Sequence, residues 1–278
     1  MKTRVSRNFF TISSVTLILL AWEGLPENNL FVKQFGGPLD ALKFMYQKAG
    51  ALAYASGTAL ASSFLALLLA GFLSIALLII GLRRRAVLTV LERFATITQT
   101  LPIQITVLVI YASLSMFCNR AKNGCSLNVL EIALLPTVIA LFFPPFIYGL
   151  RAVADLPFEM KALIRVWGAK PGWRIFRVYV PHAIPNLLTG LKVSSAWAVP
   201  AVIVCQSYSV SADGGKTTLG YFIKLAFRSM HGDEIVTMAL ITTLSGLLVY
   251  WLTGFLQGNI ESYMQGNIAA KESDYHWH

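Results

Sequence analysis

Charge is what this sequence has least of. Lys, Arg, Asp and Glu together make up 13% of its 278 residues, against roughly 25% in a water-soluble domain. A soluble fold of this size could not cover its surface with so few charges, which argues against a soluble all-helical protein. Acidic groups are the scarcer sign, 13 against 23 Lys plus Arg. Carriers driven by protons or sodium place Asp, Glu or His at mid-membrane to bind the coupling ion. The apolar runs here hold almost none, which disfavours an ion-coupled secondary transporter and keeps it as the second reading. Cys and His are also few, three and four. His182 and His231 have no Cys or carboxylate pattern for zinc chemistry, and no nucleophile motif is present.

What the sequence does have is apolar residues, 56% of the total, in blocks near the roughly 20 residues a helix needs to cross a bilayer. Six candidate spans follow: Phe9–Trp22, Leu52–Ile80, Ala95–Phe117, Val129–Leu150, Leu191–Val210 and Ile235–Leu256. The expected fold is all-α and polytopic, residues 1–278 forming a single membrane domain. Lys2, Arg4 and Arg7 before the first span resemble a signal peptide. No small-x-small cleavage site follows, so a retained anchor is expected.

The net charge of +10 invites a nucleic-acid reading, yet no zinc-finger spacing, RNA-binding aromatic motif or long basic run supports one. Cytoplasmic loops collect Lys and Arg, and the cations here fall mostly on the side of the N-terminus. The expected orientation puts both termini in the cytoplasm. Residues 23–51 and 211–234 then lie outside, the first carrying a short amphipathic helix from Leu39 to Lys48.

Residues 151–190 form the longest cytoplasmic segment. Asp155 and Pro157 read as a helix start, Gly168 as its end, and Lys170-Pro171-Gly172 as a sharp turn. A second short helix follows, which Pro181 and Pro185 are expected to stop. Leu163, Val166 and Trp167 share one face of the first helix; Trp173, Phe176 and Val180 recur at helical spacing on the second. Aromatic groups beside cations fit either a lipid interface or a docking surface for a partner protein.

The spacing within this segment resembles the cytoplasmic EAA loop of ATP-binding-cassette (ABC) importer permeases. In that family a Glu-Ala-Ala start precedes a Gly by six residues, and an apolar-Pro pair follows about thirteen residues later. Gly168 and Val180-Pro181 stand at those positions, with Phe176 and Val178 at apolar positions between. Pro185, Gly190 and Lys192 resemble the lead into the next span. Thr218-Leu219-Gly220-Tyr221 resembles the Gly-Leu-Gly-Tyr stretch of the nitrate, sulfonate and thiamine-precursor branch. Two positions depart from the pattern. Ala162 stands where the family has Glu, with Glu159 one turn earlier, and Gln206 stands where the branch usually has Glu.

The resemblance implies a type I ABC importer transmembrane domain that forms the solute pathway across a bacterial inner membrane. It also implies separate ATPase subunits, a periplasmic or lipoprotein solute-binding protein and a second permease copy, identical or related. The loop would dock on the ATPase through Glu159, Ala162, Trp167, Gly168, Trp173, Phe176 and Pro181. No catalytic residue, metal or cofactor is expected in the chain itself, ATP being held by the partner. Ser194, Ser195, Gln206 and Ser207, with Thr98, Gln99 and Thr106, are the polar residues available to line a path; Ser and Thr also serve simply to join helices.

Other motifs carry less. Gly214-Gly215-Lys216-Thr217-Thr218 lacks the first Gly of a phosphate loop, position 210 being Val210. Cys118 and Cys125 flank an external loop, where a disulfide or two free thiols are both open. His276 and His278 are too few to define a metal site.

Overall fold

The computed structural model describes residues 17, 21–24, 37–100, 103–120, 129–208, 218–229 and 231–275. The first expected span lies mostly outside these residues. So do Cys125 and residues 214–217, while the side chains of Thr98, Gln99 and Cys118 are likewise not described.

Every regular element among the described residues is helical. In chain order these are α1 (Pro38–Gln47), α2 (Ala49–Arg83), α3 (Arg85–Thr100), α4 (Ile103–Arg120), α5 (Val129–Leu141), α6 (Phe143–Ala154), α7 (Phe158–Val166), α8 (Pro171–Arg174), a π-helical turn (Ile175–Tyr179), α9 (Val180–Tyr208), α10 (Leu219–Ser229) and α11 (Gly232–Tyr275). Among the described residues, four continuous stretches are long and apolar enough to cross a membrane: Ala49–Arg83, Leu134–Ala154, Pro171–Ser207 and Gly232–Tyr263. They cover the second, fourth, fifth and sixth expected spans. The third expected span falls instead on two helices, α3 and α4.

Helix α9 is the centre of the packing, lying against α2, α5, α6, α10 and α11. Small residues allow these close approaches. Ala55, Ala59, Ala66 and Ala70 of α2 and Ala183 and Ala198 of α9 are fully buried in one core with Phe142, Phe143 and Phe146. Lipid tails are as apolar as these side chains, so association relies on dispersion and on hydrogen bonds between helices. Such bonds include Ser74 Oγ to the Phe142 carbonyl at 2.9 Å, Ser194 Oγ to the Leu141 carbonyl at 2.8 Å, and Thr237 Oγ1 to the Ala41 carbonyl at 2.9 Å.

The junction of α5 and α6 explains the second of them. Pro144 and Pro145 have no N–H, so the carbonyls of Ala140 and Leu141 lose their helical donors. Ser194 supplies the missing donor to Leu141. The helix expected over Leu39–Lys48 forms as α1 and packs along α11. Helix α10 has no counterpart in the sequence reading, because Thr217-Thr218 and the neighbouring glycines masked its amphipathic pattern.

Candidate functional site

The segment between α6 and α9 forms the candidate site. Asp155 does not open a helix as the sequence suggested; it closes α6, and its N–H bonds the Arg151 carbonyl at 2.8 Å. Pro157, extended at φ −52° and ψ 143°, precedes α7 instead. The Pro ring blocks helical geometry in the residue before it, so the start is set by Pro157 rather than by a carboxylate cap. Gly168 ends this short helix at φ +59°, a left-handed conformation that costs any residue with a Cβ. Its N–H bonds the Arg165 carbonyl at 3.1 Å.

Beyond the turn, Pro171 opens a helical path that runs unbroken to Ser207. Pro181 and Pro185 therefore do not stop it, contrary to the expectation from sequence. The turn just before Pro181 widens to π geometry over Ile175–Tyr179, with the Val180 N–H bonded to the Ile175 carbonyl five residues back. The extra residue relieves the clash a Pro ring makes with the preceding turn, so the helix continues.

Trp167, Trp173 and Pro181 come together. They line one groove of about 620 Å³ with Leu163, Arg177 and Tyr263, between α7, the start of the long helix and the far part of α11. Trp167 is 67% exposed and Trp173 45%. Two indoles so open beside Val166 at 83% exposure make this the kind of apolar surface that marks an interaction site. Phe176 is not part of the groove: the Arg83 guanidinium lies 5.8 Å from its ring centroid, on the α2 side. Glu159 is exposed in the first turn of α7, and Ala162 is half-buried on the same helix; neither lines the groove.

The four candidate pathway residues are also divided. Ser194 is buried on Leu141, and Ser195 is buried with its hydroxyl on the Lys192 carbonyl at 2.6 Å. Gln206 is buried, and its Oε1 accepts the Gly220 N–H at 3.3 Å. That contact draws α10 onto the end of α9 so tightly that a Cβ on Gly220 would lie 2.5 Å from the Ser207 nitrogen. The Gly of the Thr-Leu-Gly-Tyr stretch thus has a packing reason. Ser207 lines a second cavity, about 530 Å³, with Ile105, Val204, Phe227, Lys224 and Arg228. Sequence reasoning missed those two cations. Their spacing of four residues places them on one helix face, but only with α10 recognised does it carry meaning.

In sequence Lys192 reads as part of the lead into the fifth span. It lies within the continuous helical stretch, its Nζ 5.4 Å from the Tyr250 ring centroid and its stem against Gly254 of α11.

The helical order, the central long helix and the helix-turn-helix segment projecting between two spans define a transmembrane domain of the ABC-importer type. Two solved structures share this fold. The MetNI methionine ABC transporter, in an inward-facing form, matches with a TM-score of 0.58 and 16% identity over 78% of this chain and 98% of that one. An amino acid ABC transporter solved with histidines gives 0.57 and 16% over 78% and 97%. The chain belongs to the family of binding-protein-dependent transport system inner membrane components, whose sequence profile matches residues 75–265.

Curated relatives agree. A putative ABC transporter permease protein of Methanocaldococcus jannaschii is 29% identical over 111 residues, 40% of each chain. The nitrate import permease protein NrtB of Leptolyngbya laminosa is 23% identical over 128 residues, 46% of this chain and 44% of that one. The formylaminopyrimidine transport permease protein ThiX of Halalkalibacterium halodurans is 26% identical over 112 residues, 40% and 43%. The matched stretch spans about two fifths of the length of these relatives. Nothing in the family or the fold supports the ion-coupled carrier.

Proposed function

We propose that this chain is the permease subunit of an ABC importer, forming the solute pathway and driven by ATP hydrolysis on separate partner subunits. The observation that carries the reading is the groove of Trp167, Trp173 and Pro181 between a short helix and the start of the long one. A partner helix or loop seated there would bury two large indoles, the residue type that most often dominates interface energy. Gly168 sets the angle of the short helix, and the unbroken stretch from Pro171 to Ser207 connects it to the centre of the bundle. A push on the loop is thereby delivered to the helix that most others touch. ATP binding on the partner would bias a two-state membrane domain through that lever.

The proposed assembly contains two permease copies, identical or related, two ATPase subunits and a solute-binding protein on the opposite face. The groove side, with both termini, faces the cytoplasm. Glu159, Ala162 and Phe176 lie outside the groove and are proposed only as the margin of the contact area. Of the four polar candidates, Ser207 is proposed to face the solute, while Ser194 and Gln206 serve the pathway by holding α9 against α5 and α10, and Ser195 is spent on its own helix. Lys224 and Arg228 beside Ser207 favour a small anion or a polar heterocycle as cargo, in line with the cargoes named for the nitrate and formylaminopyrimidine relatives.

The test is to tag the chain at its C-terminus, isolate it gently from its native membrane and identify what accompanies it. Stoichiometric recovery of a phosphate-loop ATPase, lost in a W167D/W173D variant that still folds, is expected. Recovery of the chain alone, in several mild detergents and with ATP analogues present, would end the reading.

A further inference from the structure

A third cavity, about 370 Å³, lies next to the indole groove, the two sharing Ile164 of α7 in their walls. Its polar wall is cationic: Lys161 and Arg165 from α7 and Arg174 from α8, with Tyr179 from the π turn. No carboxylate is among its lining residues. Two of the cations are fixed in direction by backbone carbonyls. Lys161 Nζ donates to the Ala154 carbonyl at 2.7 Å, and Arg174 Nε donates to the Ala169 carbonyl. These bonds leave two N–H donors on the ammonium and the whole outer edge of the guanidinium unused. The remaining wall is apolar and combines the ends of spans, Gly81 and Leu82 of α2 and Val153 of α6, with Leu88 of α3, Ile164 of α7 and Ile175.

Position decides the ligand. The cavity lies at the end of the 21-residue stretch Leu134–Ala154, beside the end of the longer Ala49–Arg83; a helix of about twenty residues fills the hydrocarbon core, so its end falls at the depth of lipid headgroups. Three cations and a phenol on one side and aliphatic side chains on the other match a phosphodiester with acyl chains attached. A carboxylate would be met by fewer donors than the cavity offers. We infer that this cavity binds the phosphate of an anionic phospholipid, pinning the short helix α7 and the turn after it to the membrane surface. Apart from Ile164 the site shares no lining residue with the indole groove, so its cations can be tested separately from the ATPase-docking reading.

The experiment uses the chain isolated with its native partners and delipidated by mild detergent. Native mass spectrometry counts retained lipid after titration with phosphatidylglycerol or phosphatidylcholine, with inorganic phosphate as a separate arm. Wild type is expected to keep one phosphatidylglycerol per chain at concentrations where phosphatidylcholine is lost. An R165Q/R174Q variant is expected to lose that preference by about tenfold or more. K224Q/R228Q, which removes cations elsewhere, should keep it. Should R165Q/R174Q fail to fold, the wild-type comparison of the two lipids decides alone, with no preference overturning the site. Displacement of the lipid by millimolar inorganic phosphate would reassign the cavity to a free phosphate. Loss of the ATPase from R165Q/R174Q with lipid preference intact would give these cations to the protein partner, and would equally overturn the lipid site.

Discussion

Ser194 Oγ donates a 2.8 Å hydrogen bond to the carbonyl of Leu141, the acceptor that Pro145 leaves without its helical partner. The bond joins the central helix to the proline junction of its neighbour, and both groups are buried. Replacing Ser194 with Ala leaves a buried carbonyl unsatisfied, at a cost of about 1–3 kcal/mol. Thermal unfolding in detergent should show the loss. An S194A protein as stable as wild type would mean that the carbonyl finds another donor.

Gly190 lies on the same interface. A Cβ there would meet the Pro145 Cα at 2.5 Å and the Pro144 oxygen at 2.9 Å, all of it backbone. G190A is therefore expected to separate α9 from α6 and to destabilise by about 1–3 kcal/mol. Gly246 and Gly258 of α11 have nothing within 4 Å of a Cβ, so G246A and G258A should be neutral or raise stability by up to about 1 kcal/mol. Equal effects at all three sites would contradict this account.

At Gly168 the cost has a different origin. No atom crowds a Cβ there, but φ is +59°, so Ala carries only the left-handed penalty, about 1–2 kcal/mol. Asn tolerates that region better, and G168N should keep more ATPase recovery than G168A or G168V. Co-purification ratios measure it; a G168V protein with full recovery would remove Gly168 from the lever.

Trp173 and Phe176 are three residues apart yet face different surroundings. Trp173 lines the groove, whereas Phe176 lies under the Arg83 guanidinium. W173A is expected to lower ATPase affinity by about 2 kcal/mol or more. F176A should cost about 1 kcal/mol or less, through the lost cation–π contact. Comparable losses from both would place the partner across the whole loop rather than in the groove.

Lys192 against Tyr250 offers a last test. The ammonium lies over an aromatic face inside the helical stretch, worth about 0.5–2 kcal/mol. Y250F keeps the ring and should leave stability unchanged, while Y250L should lower it; transport assays on the same pair would show whether the contact also serves the pathway.

Some of this was legible from sequence and some was not, and the division has a physical basis. Bilayer thickness demands runs of about twenty apolar residues, so the positions of four spans could be read directly. Gly168 was legible for a similar reason, since the helix end and the turn need a residue without a Cβ. Composition along the chain decides such features, and neighbours in space hardly enter. The indoles of Trp167 and Trp173 were legible only as one of two surfaces, since both a lipid interface and a docking face place aromatic groups beside cations.

What Pro181, Ser194 and Lys161 do was decided only by the tertiary structure. A proline's effect on a helix depends on whether the preceding turn can widen, which packing settles at Ile175–Tyr179. A serine's role depends on which carbonyl has lost its donor, and the one that Ser194 serves lies 53 positions earlier in the chain. The cations of α7 became a site only when Arg174 and the ends of two spans closed around them. Hydrogen bonds and charge clusters act over a few ångströms in space, and the sequence alone does not state which distant residues the fold will bring that close.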